Sequence, residues 1–177
     1  MTINIIAGDI TTAISDTIIN AANSRMLGGG GVDGAIHRAA GPAVLKACYE
    51  VPEINGIRCP VGEARITEAG ELNAKYIIHT VGPMYYGHKN PALALENAYR
   101  HSLQLAISHQ CQSIAFPAIS CGIYRYPPAQ AVTIAISVCN EAAFKQLDIS
   151  FYLFDQSLVN IWQQALEPIP KGFYSKQ

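Results

Sequence analysis

The chain has 177 residues, 50% of them apolar and 14% charged, with a formal net charge of −1. This is apolar material for the core of one ordinary domain and too little charge for a disordered chain. The 12 Lys and Arg are scattered without a basic cluster, which argues against direct binding to a nucleic-acid backbone, and no apolar run reaches the ~20 residues of a membrane span.

In chain order, residues 2–7 read as a first strand and Asp16-Thr17-Ile18-Ile19-Asn20-Ala21 as a second, ending in polar residues. Residues 33–50 read as helix interrupted at Gly41-Pro42, where a second helix restarts with Pro in its first turn. Pro52 to Pro60 reads as a loop. Glu63 to Glu68 alternates as a strand does, and Tyr76-Ile77-Ile78-His79-Thr80-Val81 reads as a buried strand closed by Gly82-Pro83. Residues 91–109 place Leu93, Leu95, Ala98, Leu103, Leu105, Ala106 and Ile107 at helical spacing. Ser113 to Phe116 is a strand stopped by Pro117, and residues 128–146 form a second long helix. Ile149 to Phe154 is a last strand, and Ser157 to Leu166 a final helix with Ser157 as its candidate cap. This alternation predicts an α/β layered fold with a mostly parallel sheet. One domain is expected over residues 1–177, with a loose tail from about Pro168.

The cysteines, Cys48, Cys59, Cys111, Cys121 and Cys139, are odd in number and widely spaced, and no CxxC or Cys/His pattern accompanies them. No disulfide framework and no zinc are expected. Thr2-Ile3-Asn4-Ile5-Ile6 has neither a basic n-region nor an h-region, so a cytoplasmic protein is expected.

Ligands of such sheets sit beyond the C-terminal ends of the strands. Four loops fall there: Gly8-Asp9-Ile10-Thr11, the stretch from Asn20 through the glycine run, Pro117 to Tyr124, and Phe154-Asp155-Gln156. The run Gly28-Gly29-Gly30-Gly31 strips a loop of side chains at an entropic cost, which suits a backbone that must approach something closely. It leads through Val32 and Asp33 into a helix, whose unpaired N–H groups favour anions such as phosphates. The run fits GxGxxG only weakly, because no strand precedes it, and there is no GxxxxGK[ST]; a plain turn is the rival reading. Ser120-Cys121-Gly122-Ile123-Tyr124 is a second candidate cradle. No His or acid is placed by sequence to activate Cys121 as a nucleophile. Asp9 is either a contact for a ligand amine or a turn cap, and Phe154 either stacks on a base or fills the core. His79 reads as a core histidine. His37, one turn beyond Asp33, either holds that acid or serves the helix. Tyr85, Tyr86 and Tyr99 carry no assigned role.

Asn20-Ala-Ala-Asn23, Leu27-Gly-Gly-Gly-Gly-Val-Asp-Gly-Ala-Ile-His37, Cys59-Pro-Val-Gly-Glu-Ala64, His79-Thr-Val-Gly-Pro83 and Phe116-Pro-Ala-Ile-Ser-Cys-Gly-Ile-Tyr124 occur in this order, followed by Tyr126-Pro127. The set closely resembles a macrodomain of the MacroD type, from Ile3 to about Leu166. The resemblance implies a three-layer α/β/α fold with a mixed, mostly parallel central sheet. It also implies a hydrolase that binds ADP-ribose, removes mono-ADP-ribose from acidic side chains of proteins and deacetylates O-acetyl-ADP-ribose. Carried over by motif, Asp9 binds the adenine amine with the Ile10 backbone beside it, and Phe154 packs near the adenine. The backbone of Gly30, Gly31 and Val32 and the loop of Ser120, Cys121, Gly122, Ile123 and Tyr124 clasp the diphosphate. Asn23 bonds the distal ribose and Asp33 stands near its anomeric carbon, the two forming the catalytic pair. No metal and no cofactor are implied.

Three positions depart from the family pattern: Cys121 in place of Thr, Arg125 in place of Gly, and Val61 in place of Thr. Cys121 contributes mainly backbone, so binding should survive. Arg125 is expected at the rim or in solvent, and Val61 carries no clear consequence. A non-catalytic ADP-ribose reader and a phosphatase acting on ADP-ribose 1″-phosphate are the competing functions. Asn23 and Asp33 separate the first of these from a hydrolase, since a pure reader needs no acid beside the distal ribose.

Overall fold

The computed structural model describes residues 2–167. Six strands form one sheet: β1 (Thr2–Ala7), β2 (Thr17–Ala21), β3 (Ala64–Glu68), β4 (Tyr76–Thr80), β5 (Ser113–Phe116) and β6 (Asp148–Leu153). Their order across the sheet is β1-β6-β5-β2-β4-β3, parallel throughout except where β3 runs against β4. Strands β2 and β4 are buried on both faces, and their residues alternate between two cores. Ile18, Ile77 and Ala115 face helices α1 (Gly31–Ala40) and α2 (Pro42–Glu50). Ile19, Ile78, Ile114 and Phe116 face α3 (Pro91–Ser108), α4 (Pro128–Cys139) and α5 (Gln156–Leu166). The result is the expected three-layer α/β/α arrangement with a mixed, mostly parallel sheet.

The end of the sheet remote from the strand C-termini is tied by Asp16. Its carboxylate accepts from Gln112 N at 2.8 Å and Ser113 N at 3.2 Å, and pairs with Lys75 Nζ at 2.9 Å. Those backbone N–H bonds, with Lys75, hold its pKa below the usual carboxylate value.

Several element boundaries differ from expectation, most by a single residue, and three differences bear on the fold or the site. The helix expected over residues 128–146 ends at Cys139, and a 3-10 turn, Ala142–Phe144, follows. That bend carries Phe144 into the core, where it is 1% exposed, and the apolar burial outweighs a continued helix. The cap of α5 is Asp155, whose carboxylate accepts from Ser157 N at 2.8 Å, so Ser157 is the donor and not the cap. Helix α1 begins inside the glycine run, with Gly30 as its N-cap. The expected loose tail from Pro168 lies outside the described residues. No helix among the described residues is long and apolar enough to cross a membrane.

Candidate functional site

Strands β2 and β5 pair only through Thr17 with Ile114 and Ile18 with Ala115, whereas β2 pairs with β4 along its whole length. Beyond Ile18 the two strands part, and a cleft of about 390 Å³ opens above their C-terminal ends. This is within the range of small-molecule sites, roughly 300–1,000 Å³. One wall is Ala21 to Asn23 with Gly29 to Asp33, and the other is Pro117 to Tyr124, closed at the far end by Tyr152 to Asp155 and Leu158.

Asn23 shapes the first wall. Its Oδ1 accepts from Arg25 N at 3.1 Å and Met26 N at 3.2 Å, and its Nδ2 donates to Gly28 O at 3.1 Å. The side chain thereby staples a turn in which Met26 and Gly28 have positive φ, leaving one amide N–H uncommitted. The glycine run then enters α1 at Gly30 with no side-chain cap. The first N–H groups of α1 border the cleft unsatisfied by any capping side chain, a fixed positive pole of the kind that binds anions. Among the described residues, no Lys or Arg lines the cleft, so an anion there would be met by backbone N–H groups and neutral side-chain donors rather than by a cationic side chain.

Asp33, in the first turn of α1, is 5% exposed. Its Oδ1 accepts from Asn20 Nδ2 at 2.8 Å and lies 3.4 Å from His37 Nε2. Its Oδ2 is buried with no protein partner among the described residues. A Cβ at position 29 would stand 3.1 Å from this Oδ2 and 3.3 Å from Asn23 Nδ2, so Gly29 leaves both atoms uncrowded.

Behind Asp33 a buried polar chain runs into the sheet. Asn20 and His79 are register partners on β2 and β4. Asn20 Nδ2 lies 3.1 Å from His79 Nδ1, and His79 Nε2 lies 2.9 Å from Thr67 Oγ1, which in turn donates to Glu68 O at 3.1 Å. Burial, with the neighbouring His37, lowers the His79 pKa to about 3, so its ring is neutral. His37, Cys48 and His79 have ligand atoms within 4.8 Å of one another. They do not make a metal site as they stand. Both ring nitrogens of His79 are engaged by protein partners, Nδ1 by Asn20 Nδ2 and Nε2 by Thr67 Oγ1, so neither is bare for a cation.

The second wall is a tight loop with Ser120 at φ +65° and Arg125 at φ +57°. A Cβ at Gly82 would overlap Ser120 Oγ and Ile119 Cγ2, so Gly82 is what lets the loop lie against the end of β4. The buried Tyr99 hydroxyl accepts from Ile119 N at 3.3 Å, and Tyr85 N donates to Tyr124 O at 2.9 Å. Tyr99 and Tyr85, without roles from sequence, thus brace the loop. Cys121 lines the cleft, but burial pushes its thiol up to about 12, which leaves it protonated and a poor nucleophile at neutral pH.

Of the residues expected in the site, Asn23, Gly30, Gly31, Val32, Asp33, Ser120, Cys121, Gly122, Ile123, Tyr124 and Phe154 all line this one cleft. Phe154 is 68% exposed and therefore not core. Asp9 and Ile10 are not among the lining residues. Asp9 caps the 3-10 turn Ile10–Thr12 by accepting from Thr11 N at 2.9 Å and Thr11 Oγ1 at 2.8 Å, and the Ile10 side chain is buried in the core. Arg125 is exposed and outside the lining, as expected of a rim residue. The coupling of Asn20 and His79 to Asp33 is not expected from sequence. The available signal is two polar residues within apolar strands, each needing a buried partner.

The Macro domain family model matches residues 19–135. The chain is 59% identical over 164 residues to a macro domain-containing protein of Vibrio parahaemolyticus, covering 93% of this chain and 96% of that one. It is 49% identical to an O-acetyl-ADP-ribose deacetylase of Citrobacter rodentium, covering 93% and 94%. The fold superposes on the Oceanobacillus iheyensis macrodomain solved with ADP at a TM-score of 0.87 and 42% identity, covering 92% of this chain and 88% of that one. A glycine variant of that macrodomain, solved with ADPR, gives a TM-score of 0.86. A family model spanning most of the chain, near-complete relatives at about half identity or better and a shared fold agree: this chain belongs to the macro domain family.

Proposed function

We propose that the cleft binds ADP-ribose and that the chain is a hydrolase acting on O-acetyl-ADP-ribose and on mono-ADP-ribose esters of acidic protein side chains. The relatives named O-acetyl-ADP-ribose deacetylase and the macrodomain structures holding ADP or ADPR support the ligand class. In this reading the diphosphate lies between the N-terminus of α1 and the Ser120–Tyr124 loop. The adenine reaches past Phe154 toward Asp9, and the distal ribose lies beside Asn23 and Asp33.

The observation that carries catalysis over simple binding is the state of Asp33. A carboxylate beside a bound diphosphate costs affinity through like-charge repulsion. A reader module has no use for it, whereas a hydrolase does. One oxygen of Asp33 is anchored by Asn20, and the other is buried at the cleft wall with no protein partner among the described residues. This second oxygen accepts a proton from water attacking the ester, as a general base, and its charge favours a ribose centre that becomes positive. Binding the diphosphate fixes the sugar so that this water approaches along one line. Water attack on O-acetyl-ADP-ribose yields acetate and ADP-ribose; attack on the protein ester yields the free carboxylate side chain and ADP-ribose.

The test incubates the parent chain and Asp33→Ala with O-acetyl-ADP-ribose and with a protein carrying ester-linked mono-ADP-ribose, and measures product release. The parent is expected to act on both, and Asp33→Ala to lose turnover while keeping calorimetric affinity for ADP-ribose. Turnover by Asp33→Ala at the parent rate would remove Asp33 from the chemistry. ADP-ribose binding without turnover in the parent would favour the reader.

A further inference from the structure

His79 is 0% exposed, and the hydrolytic reading leaves it without a task. Its surroundings dictate one. An amide can face a neighbour with either end, and toward the Asp33 carboxylate only its N–H end is attractive. The same nitrogen, Asn20 Nδ2, lies 2.8 Å from Asp33 Oδ1 and 3.1 Å from His79 Nδ1. Both of its N–H bonds are therefore spent, one on each neighbour, and Nδ1 of His79 must be bare to accept. The ring proton then sits on Nε2, facing Thr67 Oγ1 at 2.9 Å and, more distantly, Cys48 Sγ at 3.8 Å. The Thr67 hydroxyl donates its own hydrogen bond to the Glu68 carbonyl. That carbonyl can only accept, so donation runs outward from Asn20 both ways, to Asp33 on one side and through His79 and Thr67 to Glu68 on the other. Asn20 Oδ1 has no protein partner among the described residues. The amide is held in this sense by Nδ2 alone.

We propose that His79 is a positioning residue for Asp33: by accepting at Nδ1 it locks the Asn20 amide with its N–H end toward Oδ1, which leaves Oδ2 of Asp33 turned to the reaction. The inference rests on the hydrolytic reading of Asp33. Without the acceptor, one Asn20 N–H is buried and unpaired, the amide gains a reason to rotate, and the carboxylate loses its fixed aim. The groups that face His79 are Asn20, Thr67 and Cys48 in contact, with the His37 ring centroid 6.2 Å away and Asp33 beyond Asn20.

Two substitutions separate positioning from mere filling of space. Asn at position 79 carries its oxygen near the place of Nδ1 and keeps an acceptor for Asn20. Gln carries its amide near the place of Nε2 and drops that acceptor. Parent, His79→Asn and His79→Gln are compared by kcat and KM on O-acetyl-ADP-ribose, calorimetric affinity for ADP-ribose, thermal unfolding, and the imidazole 15N signals of His79 in the parent. The expected result is a bare Nδ1 and a protonated Nε2, and a fall in kcat of about 10- to 100-fold in His79→Gln with ADP-ribose affinity retained. His79→Asn is expected to recover most of the kcat although it also loses stability. Equal loss of kcat in both variants, parent-like kcat in a folded His79→Gln, or a protonated Nδ1 in the parent would overturn the proposal. Failure of the underlying reading is seen separately, as a parent without turnover or an Asp33→Ala variant at the parent rate. Either result removes the positioning role as well, while the 15N signals still report whether the chain of protons is ordered.

Discussion

Asn20 donates to one oxygen of Asp33 at 2.8 Å while the other oxygen, also inside the fold, is buried with no protein partner among the described residues. The carboxylate is aimed by this asymmetry. Asn20→Ala removes the aim and keeps the charge, so kcat on O-acetyl-ADP-ribose should fall roughly 100-fold with little change in KM. Steady-state kinetics check this. A change confined to KM would place Asn20 in substrate binding instead.

Asp9 has one visible task and one proposed task, and they can be separated. As the cap of the Ile10–Thr12 turn it accepts from Thr11 N and Oγ1. Asp9→Ala loses the cap and should cost about 1 kcal/mol of stability. Asp9→Asn keeps an oxygen for Thr11 and puts an NH2 where an adenine amine would need an acceptor. Unfolding of the Asn variant should match the parent while its calorimetric affinity for ADP-ribose drops. Parent-like affinity in Asp9→Asn would take Asp9 out of the adenine site.

Arg125 holds φ at +57° without an ion pair among the described residues. An L side chain in this region costs roughly 1–2 kcal/mol, part of which glycine's greater unfolded freedom would return. Arg125→Gly is therefore expected to stabilise the chain by about 0.5–1 kcal/mol. Equilibrium urea unfolding reads the change, and a destabilised variant would mean that the guanidinium makes a contact worth more than the strain.

Cys121 lines the cleft, yet burial pushes its thiol to about 12. Its expected contribution is backbone. Cys121→Ser should hydrolyse O-acetyl-ADP-ribose at close to the parent rate, and the parent should resist iodoacetamide at neutral pH. A dead Ser variant with intact ADP-ribose binding would restore the nucleophile reading.

Much of the fold is legible in the sequence, because strands β2, β4 and β5 are short apolar runs closed by Gly, Pro or Asn, and helix α3 keeps its apolar spacing for five turns. Strand order is not legible, since it depends on which buried strands meet, and no local pattern states that β5 lies between β6 and β2. The cleft residues are legible by motif. Their support is not: His79 and Asn20 are distant in sequence and meet only through the parallel register of β2 and β4. The helix end at Cys139 is missed for a similar reason, because nothing local reveals that Phe144 has a core site to fill.

The same buried histidine should leave a mark on stability. In the folded chain the His79 ring stays neutral down to about pH 3, whereas the unfolded ring takes a proton near its ordinary 6.5. Between these values the unfolded chain binds one more proton, so stability rises with pH. The His79 contribution is full above 6.5 and is lost as pH falls toward 3, at up to about 1.4 kcal/mol per pH unit. Asp16 acts in the same direction at lower pH. Its folded pKa lies below 3.8, so its contribution is present above 3.8 and is lost as pH falls through the folded value. Urea unfolding at pH 7, 5.5 and 4.5 should therefore show declining stability in the parent. His79→Asn should flatten the decline by the share of one proton, while the Asp16 contribution, present above 3.8, stays intact over this range. Equal slopes in parent and variant would mean that the His79 ring is protonated inside the folded chain, and the directed hydrogen-bond chain to Asp33 would fail with it.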